Sequence, residues 1–254
     1  MPALDPADPR PAYQQIAGQL RASIGRNELR PGDQLPSERV LAAEYGVTPV
    51  TVRQGIALLK AEGLVDMRRG RGLFVRRARP MIGVSAAYVL RGAGGQRRSW
   101  VSEAGRQGTT GQEVLVGVAR EPVPGELASR LGVEAGAMVV VRRRLMLLAS
   151  EPAQLVDSYY PSDLARGTAI ERNAKIRGGA LAALEAHGVR VARFSEEVGA
   201  RMPRPGERTA LRLGSGVPVL TVLRTIHDDV GHGVEVTSMV MAADRHVLLY
   251  DIPG

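Results

Sequence analysis

Residues 46–63 read GVTPVTVRQGIALLKAEG, and the Thr48-Pro49 pair inside this stretch constrains the fold more than any other feature. Proline has no N–H and breaks the interior of a helix. Yet directly behind it Val52, Ile56 and Leu59 recur at helical spacing. The conflict disappears if Pro49 is the first helical residue. At that position the N–H would have no partner in any case, and the fixed φ of proline already suits the helix. Thr48 then serves as N-cap and Gly63 as the stop. The pattern predicts a helix from Pro49 to about Glu62, with Val52, Ile56 and Leu59 buried and Thr51, Arg53 and Gln54 free to face outward.

The residues before it fit the same scheme. Tyr13, Ile16, Leu20 and Ile24 make one face of a helix of about four turns. RPGDQLPSE marks a turn. Ser37 is placed to cap a short helix through Tyr45, with Val40 and Leu41 directed inward and Gly46 as its end. Glu38 and Glu44 read as solvating residues of that helix. Two helices joined by a short turn, the second with a polar N-terminal face, form a helix-turn-helix, which lays its second helix in the major groove of DNA. The following LVDMRRGRGLFVRR reads as a β-hairpin around Gly70-Arg71-Gly72. Arginines beside a recognition helix suit phosphate and minor-groove contact.

Charge agrees with this reading. The formal net charge is +8, and Lys60 and Lys175 are the only lysines among 34 basic residues. Arg68, Arg69, Arg71, Arg76, Arg77 and Arg79 form a block without an acid, a candidate phosphate-binding surface; Arg76 and Arg77 also read as plain surface residues. The chain has no cysteine, which excludes disulfides and thiolate metal sites. It has no apolar run of membrane-spanning length. Its first residues resemble neither a signal nor a transit peptide, and the expected compartment is the cytoplasm.

The stretches AYQQIAGQLRASI, LRPGDQLPSERVLAAEYGVT, TVRQGIALLKAEGLV and RRGRGLFV together resemble the winged-helix domain of the GntR family of bacterial transcription regulators. The resemblance covers residues 10–77. It implies DNA contacts from Arg39, Thr48, Thr51, Arg53, Gln54 and the wing residues Gly70, Arg71 and Gly72. Pro49 is a departure, because the family commonly has an arginine there.

Residues 78–110 are Gly-rich and polar and read as a linker with flexible loops, with one or two helical turns at SWVSEAG and Trp100 as a packing anchor. From about residue 111 strands and short helices alternate. GELASRLGVEAGAMVVVRRRL and GERTALRLGSGVPVLTVLRTI align as a weak internal repeat. An antiparallel sheet with helices against it is the expected architecture. RLMLLASEPAQLVDSYYP, GGALAALEAHGVRV and GVPVLTVLRTIHDDVGHGVEVTSMVMAADRH resemble the UTRA domain of the HutC-type branch, a fold similar to chorismate lyase. The fold class expected is therefore α+β, with a winged helix-turn-helix over 1–77, a linker over 78–110 and an effector-binding, dimerising domain over 111–254.

The UTRA resemblance implies an effector pocket with Arg144 and Glu235 in place. Met146, Val156 and Met241 stand where a second arginine, an acid and a tyrosine are common, with Asp157 beside Val156. Asp244-Arg245 matches an Asp-Arg position near the domain's end. These departures point to a ligand less anionic and more hydrophobic than a phosphosugar. Arg142 and Arg143 read as solvent-facing strand residues. The four histidines lack metal-ligand spacing, with His227 and His232 expected to be exposed at a hairpin tip. No catalytic fingerprint is present, so no cofactor and no enzyme activity are expected. A chorismate-lyase-like enzyme would rest on fold analogy alone. The expected protein is a homodimeric repressor on an inverted-repeat, double-stranded operator, released by a small molecule. A constitutive repressor, such as a plasmid-transfer regulator, is the alternative.

Overall fold

A computed structural model describes residues 3–68, 70–76, 81–83, 99–214 and 216–250, with the backbone alone for 81–83. The chain divides into two compact units, one of Met1–Arg79 with Arg212–Val217, the other of Pro80–Leu211 with Pro218–Gly254.

In the N-terminal unit, helices α1 (Ala12–Gly25), α2 (Glu38–Tyr45) and α3 (Pro49–Ala61) precede a two-stranded antiparallel hairpin, β1 (Val65–Arg68) and β2 (Gly72–Val75). The capping chemistry read from sequence is present. Ser37 accepts from the Val40 amide, Thr48 accepts from the Thr51 amide, and Pro49 opens α3. Gly46 ends α2 in the left-handed region at φ 64°. Ile16, Leu20, Leu41, Val52, Ile56 and Leu59 make one core with Val65 and Val75 of the hairpin. Val40 departs from expectation. It is 45% exposed, because the turn of α2 that buries Leu41 puts its neighbour on the outer face. Gly55 lets α3 approach α1 closely, since a Cβ there would lie 2.8 Å from the Tyr13 carbonyl oxygen.

The C-terminal unit is built on a six-stranded antiparallel sheet. Its strands are β4 (Gly111–Pro122), β5 (Met138–Leu148), β6 (Glu151–Pro161), β7 (Val191–Arg201), β8 (Val219–Asp228) and β9 (Gly233–Ala242), in the order β4-β5-β6-β9-β8-β7. The internal repeat is visible in this order. Each half is a strand, a short helix and a hairpin, with α5 (Gly125–Leu131) in the first half and α8 (Pro205–Ala210) in the second. The two hairpins meet where β6 pairs with β9. The short helix α6 (Ser162–Ala165) follows β6, and a two-stranded parallel pair joins β3 (Met81–Gly83) to β10 (His246–Leu248).

Strand alternation gives the sheet two different faces. On one, Val139, Val141, Tyr159 and Val236 pack against Leu127, Ala128 and Leu131 of α5. On the other, Val140, Tyr160 and Ile226 pack with Leu184 of α7 (Ala180–Ala186), and Met146, Val156 and Met239 pack with Trp100 of α4 (Trp100–Arg106). Within the region read as linker, residues 100–106 therefore form a helix that belongs to the core. The expectation of flexible loops at residues 84–98 lies outside the described residues.

Candidate nucleic-acid interface and ligand cavity

The first α3 turns present a consistent outer face. Thr48, Pro49, Val50, Arg53 and Gln54 are exposed, and Thr51 is half-buried, while Val52 and Ile56 behind them are in the core. Arg39 on α2 is exposed as well. Arg53 is not loose. Its Nε donates to Glu38 Oε2 at 3.0 Å, and a terminal nitrogen lies 2.8 Å from the same oxygen. Glu38 thus does more than solvate α2: it holds the guanidinium of the neighbouring helix. The sequence shows both residues, but only the packing angle of α2 on α3 makes them neighbours.

The wing turns through Gly70 at φ 71° and Gly72 at φ 102°. Gln34 steadies it, donating from Nε2 to the Arg71 carbonyl at 2.8 Å. The Arg68 guanidinium stacks 4.5 Å over the Phe74 ring. Arg76 lies 3.6 Å from Asp66, and its side chain is only 13% exposed, so it is a strand-anchoring residue rather than a plain surface one. Arg69, Arg77 and Arg79 lie outside the described residues.

The second site is a cavity of about 470 Å³ on the sheet face opposite α5. Its floor is set by register. Across five strands, Arg142, Ser158, Thr237, Arg224 and Glu196 stand opposite one another in a single row. The adjacent row holds Arg144, Val156, Met239 and Val222. A polar row thus runs beside a largely apolar one. Trp100 and Val101 of α4 and residues 178–181 around the start of α7 form walls.

The structure brings Arg144, Met146, Val156 and Glu235 into this cavity. It does not bring Asp157 there. Alternation turns Asp157 to the α5 side, where it lies 3.7 Å from Arg143 Nε, and burial raises its carboxyl above the ordinary range. Met241 is two residues beyond Met239 and is buried in the apolar cluster with Trp100, without lining the cavity. Arg245 is also internal: it is 5% exposed and donates to the carbonyls of Pro152 and Leu211.

The largest correction concerns Arg142. Rather than facing solvent it is 4% exposed, lines the cavity, and donates to the carbonyls of Ile170, Arg172 and Ala174 at 2.8, 2.8 and 2.7 Å. Desolvation lowers its pKa, yet an arginine remains charged. It pins the loop that carries Lys175 and Gly178 to the mouth. Arg224 is a further cavity residue that its sequence spacing does not single out. Its Nε donates to Glu196 at 2.7 Å, with both side chains less than a tenth exposed, and Tyr250 donates to the other Glu196 oxygen at 2.8 Å. Tyr160, fully buried, has its phenol pushed far up by desolvation and the nearby Glu235 charge. The signal that could have found the row is the alternation of Arg142 and Arg144 read together with Ser158, two residues from Val156.

Trp100 packs as expected and also lines the cavity. Its Nε1 donates to the Leu147 carbonyl at 2.7 Å, and its ring centroid lies 6.0 Å from that of His246. The His246 Nδ1 lies 3.0 Å from the Ala242 carbonyl, so that nitrogen carries the hydrogen. Burial pushes His246 down to about 4. Below the ordinary value of about 6.5 the unfolded chain takes up a proton that the folded chain refuses. Stability is therefore expected to fall as pH drops from 6.5 towards 4, by up to about 1.4 kcal/mol per pH unit from this residue. Comparing urea midpoints of the native chain and His246→Asn at pH 7 and pH 5 checks it. Equal acid sensitivity in both proteins would remove His246 as the cause. Of the two hairpin histidines, His232 is exposed, whereas His227 is half-buried with its pKa lowered by desolvation and then by Arg193.

Among the described residues no His, Cys, Asp or Glu cluster could hold a metal ion, and no helix is long and apolar enough to cross a membrane.

Comparison with known proteins matches both units. Residues 12–75 fit the family of bacterial regulatory proteins, gntR family, and residues 106–247 fit the UTRA domain. An HTH-type transcriptional regulator of Rhizobium meliloti is 32% identical over 92% of this chain and 91% of its own length. The HTH-type transcriptional repressor NagR of Bacillus subtilis is 28% identical over 95% of each chain. The crystal structure of PhnF from Mycobacterium smegmatis shares the fold, with a TM-score of 0.59 at 22% identity over 94% of this chain and 99% of its own.

Proposed function

We propose that this chain, which belongs to the gntR family of bacterial regulatory proteins and carries a UTRA domain, is a repressor that a small molecule releases from its operator. That it is a DNA-binding transcriptional regulator rather than an enzyme follows from the family and the relatives. The remaining steps are our reading, and the observation that carries them is the pairing of an exposed, capped recognition face with a built cavity on the second unit's sheet.

In this reading residues 1–77 bind DNA, and the C-terminal unit, with α4 as a wall of its cavity, binds the effector and dimerises in the cytoplasm. Two chains set their α3 helices on half-sites of an inverted repeat about one helical turn apart. Arg39, Thr48, Thr51, Arg53 and Gln54 meet base edges or phosphates, and Gly70, Arg71 and Gly72 meet the backbone beside them. The effector binds more tightly to a dimer whose helices no longer match the half-site spacing, and repression is relieved by that difference in affinity.

The cavity supports a ligand less anionic than a phosphosugar. Arg142 is committed to three carbonyls and Arg224 to Glu196. Met146, Val156 and Met239 supply apolar lining. Lys175 is exposed at the mouth.

Fluorescence anisotropy with a labelled duplex from the gene's upstream region, against a scrambled duplex over a salt series, tests the regulator. A preference that survives moderate salt supports it. The same assay then reads release by candidate effectors.

Pro49 and Val50 lead to a second expectation. Val50 is 58% exposed at the leading end of α3, where an apolar side chain can meet the thymine methyl in the major groove. Uracil in place of the thymine facing Val50 is expected to weaken binding by about 0.8 kcal/mol, the value of one buried methyl group. Val50→Ala is expected to lose this sensitivity. Equal binding of the native chain to thymine and uracil duplexes at every operator position would exclude the contact.

A further inference from the structure

Two residues that line the cavity each hold one buried polar atom without a partner, and the two have opposite character. Glu235 is 7% exposed. Its Oε1 accepts from Thr237 Oγ1 at 2.6 Å and from Ser158 Oγ at 3.5 Å, while its Oε2 is buried with no hydrogen bond. Arg144 donates from a terminal nitrogen to Ser158 Oγ at 2.6 Å, while its Nε is buried with no acceptor. The Ser158 and Thr237 hydroxyls stand 2.8 Å apart between them. The floor thus carries a continuous run, Arg144 to Ser158 to Thr237 to Glu235, whose cationic end needs an acceptor and whose acidic end needs a donor.

Leaving such groups buried and unpaired costs on the order of 1–3 kcal/mol each, more when they are charged. Other buried arginines of this unit are satisfied by the protein itself. Arg142 and Arg245 donate to main-chain carbonyls and Arg224 to Glu196. Both residues line the same cavity, so a bound molecule is the natural source of the missing partners. A dianion would bring its second charge close to Glu235. A plain carboxylic acid would leave the Glu235 carboxylate with only its protein neighbours, the Tyr160 phenol among them, and a plain amine would leave Nε bare. Beside the polar run, Val156, Met146 and Met239 offer an apolar surface.

We propose that the effector is a zwitterion. Its carboxylate accepts from Arg144 Nε, its protonated amine donates to Glu235 Oε2, and its apolar body lies over Val156, Met146 and Met239. Charge-assisted hydrogen bonds at both ends are stronger than their neutral counterparts and fix the orientation. A cavity of about 470 Å³ admits a molecule larger than one amino acid, up to an apolar dipeptide. This assignment rests on the cavity being the effector site of the preceding section.

The test is titration calorimetry on the full chain with L-leucine and L-leucyl-L-leucine, each beside its deaminated acid and its C-terminal amide. At least one zwitterion is expected to bind, with both of its analogues weaker by about tenfold or more, as the loss of one charge-assisted hydrogen bond implies. Glu235→Gln is expected to remove the preference for the amine while retaining the preference for the carboxylate. Arg144→Gln is expected to do the reverse. Thermal unfolding of each variant shows that it is folded. A deaminated acid that binds as tightly as its zwitterion overturns the assignment, as does the absence of binding by either zwitterion at millimolar concentration. The anisotropy assay separates this outcome from failure of the wider reading. Operator release by a dianionic or uncharged compound would retain an effector-controlled repressor while discarding the zwitterion. An operator complex that no compound dissociates would count against effector control itself.

Discussion

Alanine at position 53 is expected to lower affinity for the operator by about 1–3 kcal/mol, with a much smaller loss on scrambled DNA. Arg53 lies on the outer face of α3, one turn in from the Thr48 cap, and its side chain is 65% exposed. A helix set in the major groove by its N-terminal turns brings such a residue to base edges. A guanidinium can hold guanine through two parallel hydrogen bonds, which is what makes its loss selective. Glu38 holds Arg53 before DNA arrives, through bonds of 3.0 and 2.8 Å. That pair is exposed and contributes little to folding, so Arg53→Ala should remain folded, and Glu38→Gln should show what the tether contributes to recognition. Anisotropy on both duplexes gives the answer. Equal losses on specific and scrambled DNA would demote Arg53 to a phosphate contact.

The largest effect on stability is expected at Trp100. Trp100→Ala should destabilise the C-terminal unit by about 3–5 kcal/mol, the range for truncating a buried aromatic residue. The side chain is 2% exposed and packs with Met146, Val156 and Met239. Its removal also leaves the Leu147 carbonyl without the 2.7 Å donor. The packing is close enough that β4 must pass it with a glycine: a Cβ on Gly111 would lie 2.9 Å from Trp100 Cδ1 and 2.8 Å from Ala104 Cβ. Trp100→Phe keeps most of the ring but not the N–H, and an intermediate loss is expected. Urea denaturation followed by far-ultraviolet circular dichroism measures both. A loss below about 1 kcal/mol for the alanine variant would mean that α4 is not anchored through this side chain. Because Trp100 is the sole tryptophan and lines the cavity, its fluorescence in the native chain also offers a direct readout of ligand entry.

The N-terminal unit was legible in the sequence almost residue by residue. Its signals are local. A cap, a proline at the first helical position, a stripe at 3.6-residue spacing and a Gly-Arg-Gly turn each act within a few residues, and they agree with one another. Val40 shows the limit of that reading, because spacing in so short a helix does not say whether the buried stripe through Leu41 takes in Val40 on one side or Ala42 on the other, and it takes in Ala42. The Arg53–Glu38 pair shows another, since it joins positions on two helices.

The cavity was legible only in part, for a physical reason. In a strand every second residue shares a face, but RRRLMLL carries no alternation that says which face is which. Arg142 and Arg143 read alike in the sequence, and the sheet sends them in opposite directions. Asp157 adjoins Val156 in the sequence, and one step along the strand turns it to the α5 side. The row Arg142, Ser158, Thr237, Arg224 and Glu196 draws on five strands scattered from residue 138 to residue 242. By itself, then, the sequence determined the helices, their caps, the wing, the repeat in the sheet and the regulator class, since these depend on spacing along the chain. The tertiary structure alone decided which cations are committed, which polar atoms remain unpaired and which side chains share a cavity, since these depend on strand register between distant segments.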